Sequence, residues 1–358
     1  MNHGNNGEVK PSLKEFFKDD FYIGVALSQS QLEGKDPMGL AIAERHFNSI
    51  VPENSLKWEV VHPEPDRYNF EPADLFVAFG KKNNMFMVGH TLVWFSQTPG
   101  WVFKDERGMP PAREALLKRM KDHIFTVMGR YKGQIQAWDV ANEAIDANGD
   151  FRKNRWLEII GKDYLQKAYE YAREADPSAQ LYYNDYDFEK PEKCEGVIRL
   201  IRDLQSKGIR IDGVGIQGHW FVEYPPIEEI EKLIVKLSQL GVKLMVTEMD
   251  VSVLPFYPVD SQAIDLASLN PETQKRLNSY ADGLPDSVHK DLANRYAELF
   301  SLFHKHRDKF NRITFWAVHD AQSWRNYQPI RGRTDHPMLF DREGKAKPAF
   351  DAIFHVMN

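Results

Sequence analysis

Two stretches of this sequence set carboxylates at the ends of apolar runs, and together they could carry out acid–base and nucleophilic chemistry. Residues 136–146, Gln-Ile-Gln-Ala-Trp-Asp-Val-Ala-Asn-Glu-Ala, read as an apolar strand, bounded upstream by Gly133, that runs into the polar pair Asn142-Glu143. An unpaired carboxylate at the end of a buried strand costs on the order of several kcal/mol, so this strand is expected to end in a site. Residues 243–251, Lys-Leu-Met-Val-Thr-Glu-Met-Asp-Val, supply a second carboxylate, and strand alternation places Val246, Glu248 and Asp250 on one face. Two such glutamates about 5 Å apart hydrolyse a glycoside with retention, one attacking the anomeric carbon while the other protonates the leaving oxygen. Glu143 suits the acid, because Trp138 and a mostly apolar strand would desolvate it and raise its pKa. Glu248 suits the nucleophile, with His219 holding it ionised and Asp250 fixing the imidazole. Asn142 could donate to a sugar 2-hydroxyl. His219, Glu248 and Asp250 could in principle bind a metal, but one His and two carboxylates on adjacent strands equally make a hydrogen-bonded cluster, and no metal or other cofactor is expected.

A strand-and-helix alternation positions these residues. Apolar runs at 21–27, 85–94, 135–140, 181–183, 213–217, 243–251 and 312–318, with a weaker one at 47–51, are separated by helical patterns. Leu116, Leu117, Met120, Ile124, Val127 and Met128 define one amphipathic helix; Ile227, Ile230, Leu233, Ile234, Leu237 and Leu240 define another. Breakers such as Asp176-Pro177 and Gly208 fall between elements. Eight such repeats predict a single (β/α)₈ TIM barrel over residues 16–358, after an N-terminal tail at 1–15 and with a final helix from Pro348 to Met357. The active site of such a barrel lies where the strands end. Polar and aromatic residues gather there: Glu53, Asn54, Lys57 and Trp58 after the second strand, and His90, Trp94 and Gln97 after the third. Asn184, Asp185 and Tyr186 follow the fifth, Gln217 and His219 the sixth, and Trp316, Asp320 and Trp324 the eighth. Residues 252–290, rich in Pro, Asp and Ser, form an extended loop after strand 7, a length usual for functional walls.

Composition narrows the partners. At 358 residues the chain could hold two domains or one barrel with insertions, and its formal net charge of -6 gives no electrostatic reason to expect nucleic acid or an anionic membrane. No run of about 18 apolar residues is present to span a membrane. The aromatics, eight of them Trp, offer ring faces for flat or sugar-like ligands. Cys194 cannot form an internal disulfide and reads as a packed residue. No GxGxxG, P-loop, HExxH or CxxC motif occurs. The first residues lack the apolar region of a signal peptide, so either the protein is cytoplasmic or a signal has been removed.

Seven stretches in order resemble a glycoside hydrolase family 10 endo-β-1,4-xylanase from about Phe21 to Phe354. They are Glu53-Asn54-Ser-Leu-Lys57-Trp58, Gly89-His90-Thr-Leu-Val-Trp94, Trp138-Asp-Val-Ala-Asn142-Glu143-Ala, Tyr183-Asn184-Asp185-Tyr186, Gly215-Ile-Gln217-Gly-His219, Thr247-Glu248-Met-Asp250, and Phe315-Trp316 with Ser323-Trp324. The resemblance implies a cofactor-free retaining enzyme acting on xylan and xylo-oligosaccharides, with Glu143 as acid/base and Glu248 as nucleophile. It assigns Glu53, Asn54, Lys57, His90, Gln97 and Trp324 to the glycone side, and Asn142, Gln217, His219 and Trp316 to the surroundings of the cleaved sugar. Tyr186 falls on the aglycone side, Trp94 is a substrate contact, and Asp250 is a supporting residue. A monomer is expected, secreted or at the cell surface, with cytoplasmic action on oligosaccharides as the alternative. Rival readings are a β-1,4-glucanase or exo-acting xylosidase on the same barrel, and a non-catalytic xylan-binding barrel. Three positions depart from the family pattern: Phe95 stands where His is usual, Ala141 where Val is, and Ala317 where Gly is. The two alanines are expected to adjust packing; Phe95, by removing a polar group beside the carboxylates, is expected to raise both their pKa values, the competing reading being that it points away from them and packs under the loop.

Overall fold

Eight parallel strands close into a ring in the computed structural model, which describes residues 12–257 and 263–355. They are β1 (Tyr22–Leu27), β2 (Ser49–Pro52), β3 (Phe86–Val93), β4 (Ala137–Asn142), β5 (Gln180–Asp185), β6 (Gly213–Ile216), β7 (Lys243–Ser252) and β8 (Phe310–Phe315). Each pairs with its sequence neighbour, and β8 pairs with both β7 and β1, so the ring has no free edge. Helices α1 (Pro37–His46), α2 (Glu71–Lys82), α3 (Arg113–Arg130), α4 (Tyr164–Ala175), α5 (Pro191–Ser206), α6 (Ile227–Ser238) and α7 (Asp286–Lys305) connect them, and α8 (Pro348–Ile353) follows β8. This is the expected (β/α)₈ barrel. The stripe anticipated for α3 is buried along its length, and in α6 Ile230, Leu233, Ile234 and Leu237 are buried. The last helix ends at Ile353 rather than Met357, and residues 356–358 lie outside the described part. A short helix, Leu13–Phe16, begins within the stretch expected as a tail; Leu13 is fully buried and Phe16 packs edge-on against Phe354, 4.9 Å between ring centres.

Two apolar layers follow from strand alternation. Ala26, Val51, Val88, Ala137, Tyr182 and Met245 fill the barrel interior under Trp316. The opposite strand faces join the helices in the larger core, which includes Trp138, Val140, Val246 and Met249. Trp138 therefore points away from the barrel axis, packed on Gly89, and is not the group that desolvates Glu143 as expected.

Alternation breaks near the mouth, and the breaks aim the site. In β7, Val246 and Met249 oppose Ile313 and Phe315, leaving one extra residue on β7. Thr247 and Glu248 consequently both turn inward, where each hydrogen-bonds Asn184, while Val246 stays in the outer layer. Val246 thus does not share a face with Glu248 and Asp250, because a bulge shifts the register by one residue. Similar irregularities occur in β3 between His90 and Val93 and in β4 between Asp139 and Ala141.

The excursion after β7 is more structured than a loop. Ile264–Asp265 pairs in parallel with Ile330–Arg331, and a helix spans Pro271–Leu277; residues 258–262 lie outside the described part. Cys194 is buried in α5, as expected for a packed thiol.

Gly89 and Gly129 give opposite expectations. A methyl group on Gly89 would lie 2.2 Å from the Trp138 ring, whereas nothing comes within 4 Å of one on Gly129, in the last turn of α3. Gly89→Ala should destabilise the barrel by about 1–3 kcal/mol through overpacking, and Gly129→Ala should stabilise it by about 0.5–1 kcal/mol. Thermal unfolding of both variants checks this; a Gly89→Ala protein melting with the parent contradicts the packing described.

Candidate active site

Glu143 leaves the end of β4 with φ 56°, in the left-handed region that side chains rarely adopt, a conformation costing on the order of 1–3 kcal/mol. Its backbone is gripped on both sides: the N–H donates to the Asn184 carbonyl at 2.9 Å, and the carbonyl accepts from Arg152 Nε at 2.9 Å. This holds the carboxyl where Oε1 accepts from Gln217 at 2.9 Å and from Asn142 at 3.3 Å, and Oε2 accepts from Trp94 Nε1 at 3.0 Å. From β7, Glu248 Oε1 accepts from Asn184 Nδ2 at 2.7 Å, and Oε2 lies 3.2 Å from His219 Nε2. Asn184 also donates to Asn142 Oδ1 at 3.0 Å, so a ladder of amides joins the two carboxyls.

Their electrostatic surroundings differ. Burial is the main influence on Glu143 and raises its pKa, the charges of Asp185 and Glu248 push the same way, and the Gln217 and Trp94 donors only partly offset this. Burial would raise Glu248 too, but the hydrogen bond from His219, the charges of His90 and His219, and the Asn184 donor bring it below its ordinary value. Burial opposes protonation of His219, yet Asp250 and Glu248 raise its pKa to about 9. As an imidazolium it donates from both nitrogens, with Nδ1 3.0 Å from Asp250 Oδ2. Fully buried Asp250 also accepts from Trp324 Nε1 and Arg325 Nε, each at 2.7 Å.

All the expected catalytic and binding residues line one cleft of about 960 Å³, with Asp250 directly behind it. On one wall Lys57 Nζ donates to Asn54 at 3.0 Å and Gln97 at 2.9 Å, beside Glu53. His90, fixed 2.9 Å from Asp139, packs edge-on to Trp316. Elsewhere around the cleft the Tyr186 hydroxyl accepts from Arg152 at 2.8 Å, and the Trp324 ring leans over His219. Trp58 is instead buried in a stack on His123, and Asp320 is a buried ion-pair partner of Lys347 at 2.8 Å. Ala141 and Ala317 are packed in the core.

Phe95 corrects the expectation attached to it. It is 39% exposed, sits edge-on to Trp94 with the Arg152 guanidinium 4.7 Å from its ring centre, and does not line the cleft. Following the end of β3, it turns outward, so its phenyl ring is not what raises the Glu143 pKa. Sequence reasoning placed Asn184 at the mouth without giving it a role, and missed Asp139, Arg152 and Arg325 as groups that fix the site. Asp139 was visible inside a quoted motif; Arg152, nine residues beyond Glu143, gave no signal. Among the described residues no cluster of three or more His, Cys, Asp or Glu side chains could hold a metal ion, and no helix is long and apolar enough to cross a membrane.

Comparison with known proteins agrees with this geometry. The family model for glycosyl hydrolase family 10 matches residues 12–356. An endo-1,4-beta-xylanase A from Xylanibacter ruminicola is 40% identical, covering 97% of this chain and 94% of the relative. An endo-1,4-beta-xylanase from Geobacillus stearothermophilus is also 40% identical, covering 97% and 98%. The solved structure of a GH10 endoxylanase from a sugarcane soil metagenome superposes with a TM-score of 0.91 at 42% identity, over 98% of this chain and all of that one. Matched along nearly its full length, the chain belongs to glycosyl hydrolase family 10.

Proposed function

We propose that this chain is a retaining endo-β-1,4-xylanase, with Glu143 as acid/base and Glu248 as nucleophile. The observation that carries this reading is the opposite bias of two carboxyls in one cleft: Glu143 is pushed toward its protonated form and Glu248 is held ionised. Glu143 donates its proton to the departing oxygen while Glu248 attacks the anomeric carbon, giving a covalent glycosyl-enzyme. Glu143, now ionised, then takes a proton from water, which attacks the intermediate and restores both groups. Asn142 sits between the two carboxyls as a donor for the sugar 2-hydroxyl, and Lys57, Asn54 and Gln97 form a preorganised polar wall for the glycone. The xylanase names of the relatives support xylan as the substrate. A polymeric substrate supports action outside the cell, and a cleft built from one chain supports a working monomer.

Two substitutions separate the roles. Glu248→Gln keeps the shape and removes the attacking charge, so hydrolysis should fall by roughly three powers of ten or more while xylan binding survives. Glu143→Ala should still form the intermediate from an aryl xylobioside with a good leaving group and release it slowly, visible as a pre-steady-state burst. Equal slowing of good and poor leaving groups would remove Glu143 from the acid role. Parallel rates on xylan, cellulose and aryl xylosides test the substrate class.

The pH profile follows from the same shifts. Glu248 must be ionised, so its lowered pKa puts the acid limb of kcat/KM below 4.5; Glu143 must be protonated, so its raised pKa puts the alkaline limb above 4.5. The Trp94 N–H favours ionised Glu143. Trp94→Phe should therefore move the alkaline limb upward. A limb that stays in place or moves down contradicts this role for the indole.

A further inference from the structure

Five basic side chains line the cleft, and four are already committed. Lys57 donates to Asn54 and Gln97, His219 to Glu248 and Asp250, and Arg325 to Asp250 and the Trp220 carbonyl, while His90 is paired with Asp139. Arg333 is the fifth. It is only 5% exposed, and its buried Nε has no hydrogen-bond partner among the described residues. Asp335, whose charge favours the Arg333 cation, spends its hydrogen bonds on other donors: Oδ2 accepts from Ser252 Oγ at 2.6 Å, and Oδ1 from the backbone N–H groups of His336 at 2.8 Å and Val253 at 3.3 Å. Burial is the main influence against the Arg333 charge; Asp335 offsets it only in part, and Arg325 adds like-charge repulsion.

The backbone offers this guanidinium no easy escape. Gly332 N–H donates to the Asn326 carbonyl at 3.1 Å, and Thr334 N–H to Asn278 Oδ1 at 2.7 Å, so both neighbours of Arg333 are tied down. Buried cations are ordinarily paired, and a guanidinium fork matches a carboxylate in two parallel hydrogen bonds. The other basic groups of the cleft already donate to acceptors of their own, so an anionic group on the substrate finds in Arg333 the cation with an unspent donor.

We propose that Arg333 is a specificity-determining residue that pairs with the carboxylate of a uronic acid side group on the xylan backbone. This rests on the xylanase reading above, which places a xylan chain in the cleft. It assigns the preference to a single charge in the segment that follows β8.

The test uses three xylo-oligosaccharides of one backbone length: unsubstituted, uronate-substituted, and the same substituted sugar with its carboxyl reduced to a hydroxymethyl. In Arg333→Gln the ratio of kcat/KM on the uronate substrate to that on the unsubstituted one should fall at least tenfold, a loss the size of one charge-assisted pair, while the ratio for the carboxyl-reduced substrate should match the parent's. A fall under threefold, or an equal fall for the reduced substrate, overturns the proposal. If Arg333→Gln does not fold, Arg333→Lys decides: it keeps the charge and loses the planar fork, so the uronate ratio should fall at least threefold while the carboxyl-reduced ratio stays at the parent's, and an unchanged uronate ratio overturns the pairing. A parent that leaves the unsubstituted oligosaccharide uncut overturns the xylanase reading instead, so the two failures are distinct.

Discussion

The site depends on one buried negative charge, that of Asp250. Alone in the barrel wall it would be untenable, and it persists because Arg325, His219 and the Trp324 N–H all donate to it. By stabilising the imidazolium of His219, it turns that ring into a donor toward Glu248, and so it sets the ionisation of a carboxylate that it does not touch. Arg325, His219, Asp250 and Glu248 then form an alternating chain of two cations and two anions. Negative charge on Glu143 would add to that of Glu248 and Asp185, so their proximity reinforces burial in keeping it protonated.

Geometry is set by departures from regular structure. The ring of paired strands supplies rigid supports, but a strictly alternating β7 could not direct Thr247 and Glu248 inward together. The bulge does so, which lets Asn184 accept from Thr247 at 2.6 Å and donate to Glu248 at 2.7 Å. Asn184 thus enters the site already oriented. The strained backbone at Glu143 has a similar role, since an extended residue following inward-facing Asn142 would turn its carboxyl to the outer face of the strand rather than into the cleft. Arg152 links this turn to Tyr186 by holding both the Glu143 carbonyl and the Tyr186 hydroxyl.

Much of this was legible in the sequence, and the failures have physical causes. The alternation of strands and helices, and the buried stripes of α3 and α6, follow from local periodicity, which one sequence contains in full. The cleft residues were legible because they sit within a few positions of strand ends. What periodicity cannot show is an extra residue in a strand: the period-two reading put Val246 with Glu248, and the bulge separates them. Trp138 was assigned to the wrong side of β4, although the neighbouring-strand Gly89 that makes room for its ring was in the motif. Phe95 was misjudged because its direction is set by the turn leaving β3, and the structured excursion after β7 because its pairing with Ile330–Arg331 is distant in sequence. Arg333 was invisible for the same reason: only the fold brings residue 333 beside the strand ends.

The central claim is that one cleft holds two chemically identical carboxyls in opposite protonation states. Carbon-13 NMR of protein labelled at the glutamate side-chain carboxyl, with Glu143 and Glu248 assigned by substitution, follows each through a pH titration. Because the two interact, the midpoints belong to the pair as well as to each residue. The account predicts a resonance assigned to Glu248 that titrates below 4.5 and one assigned to Glu143 that titrates above it. Midpoints that coincide, or that fall in the reverse order, would contradict it.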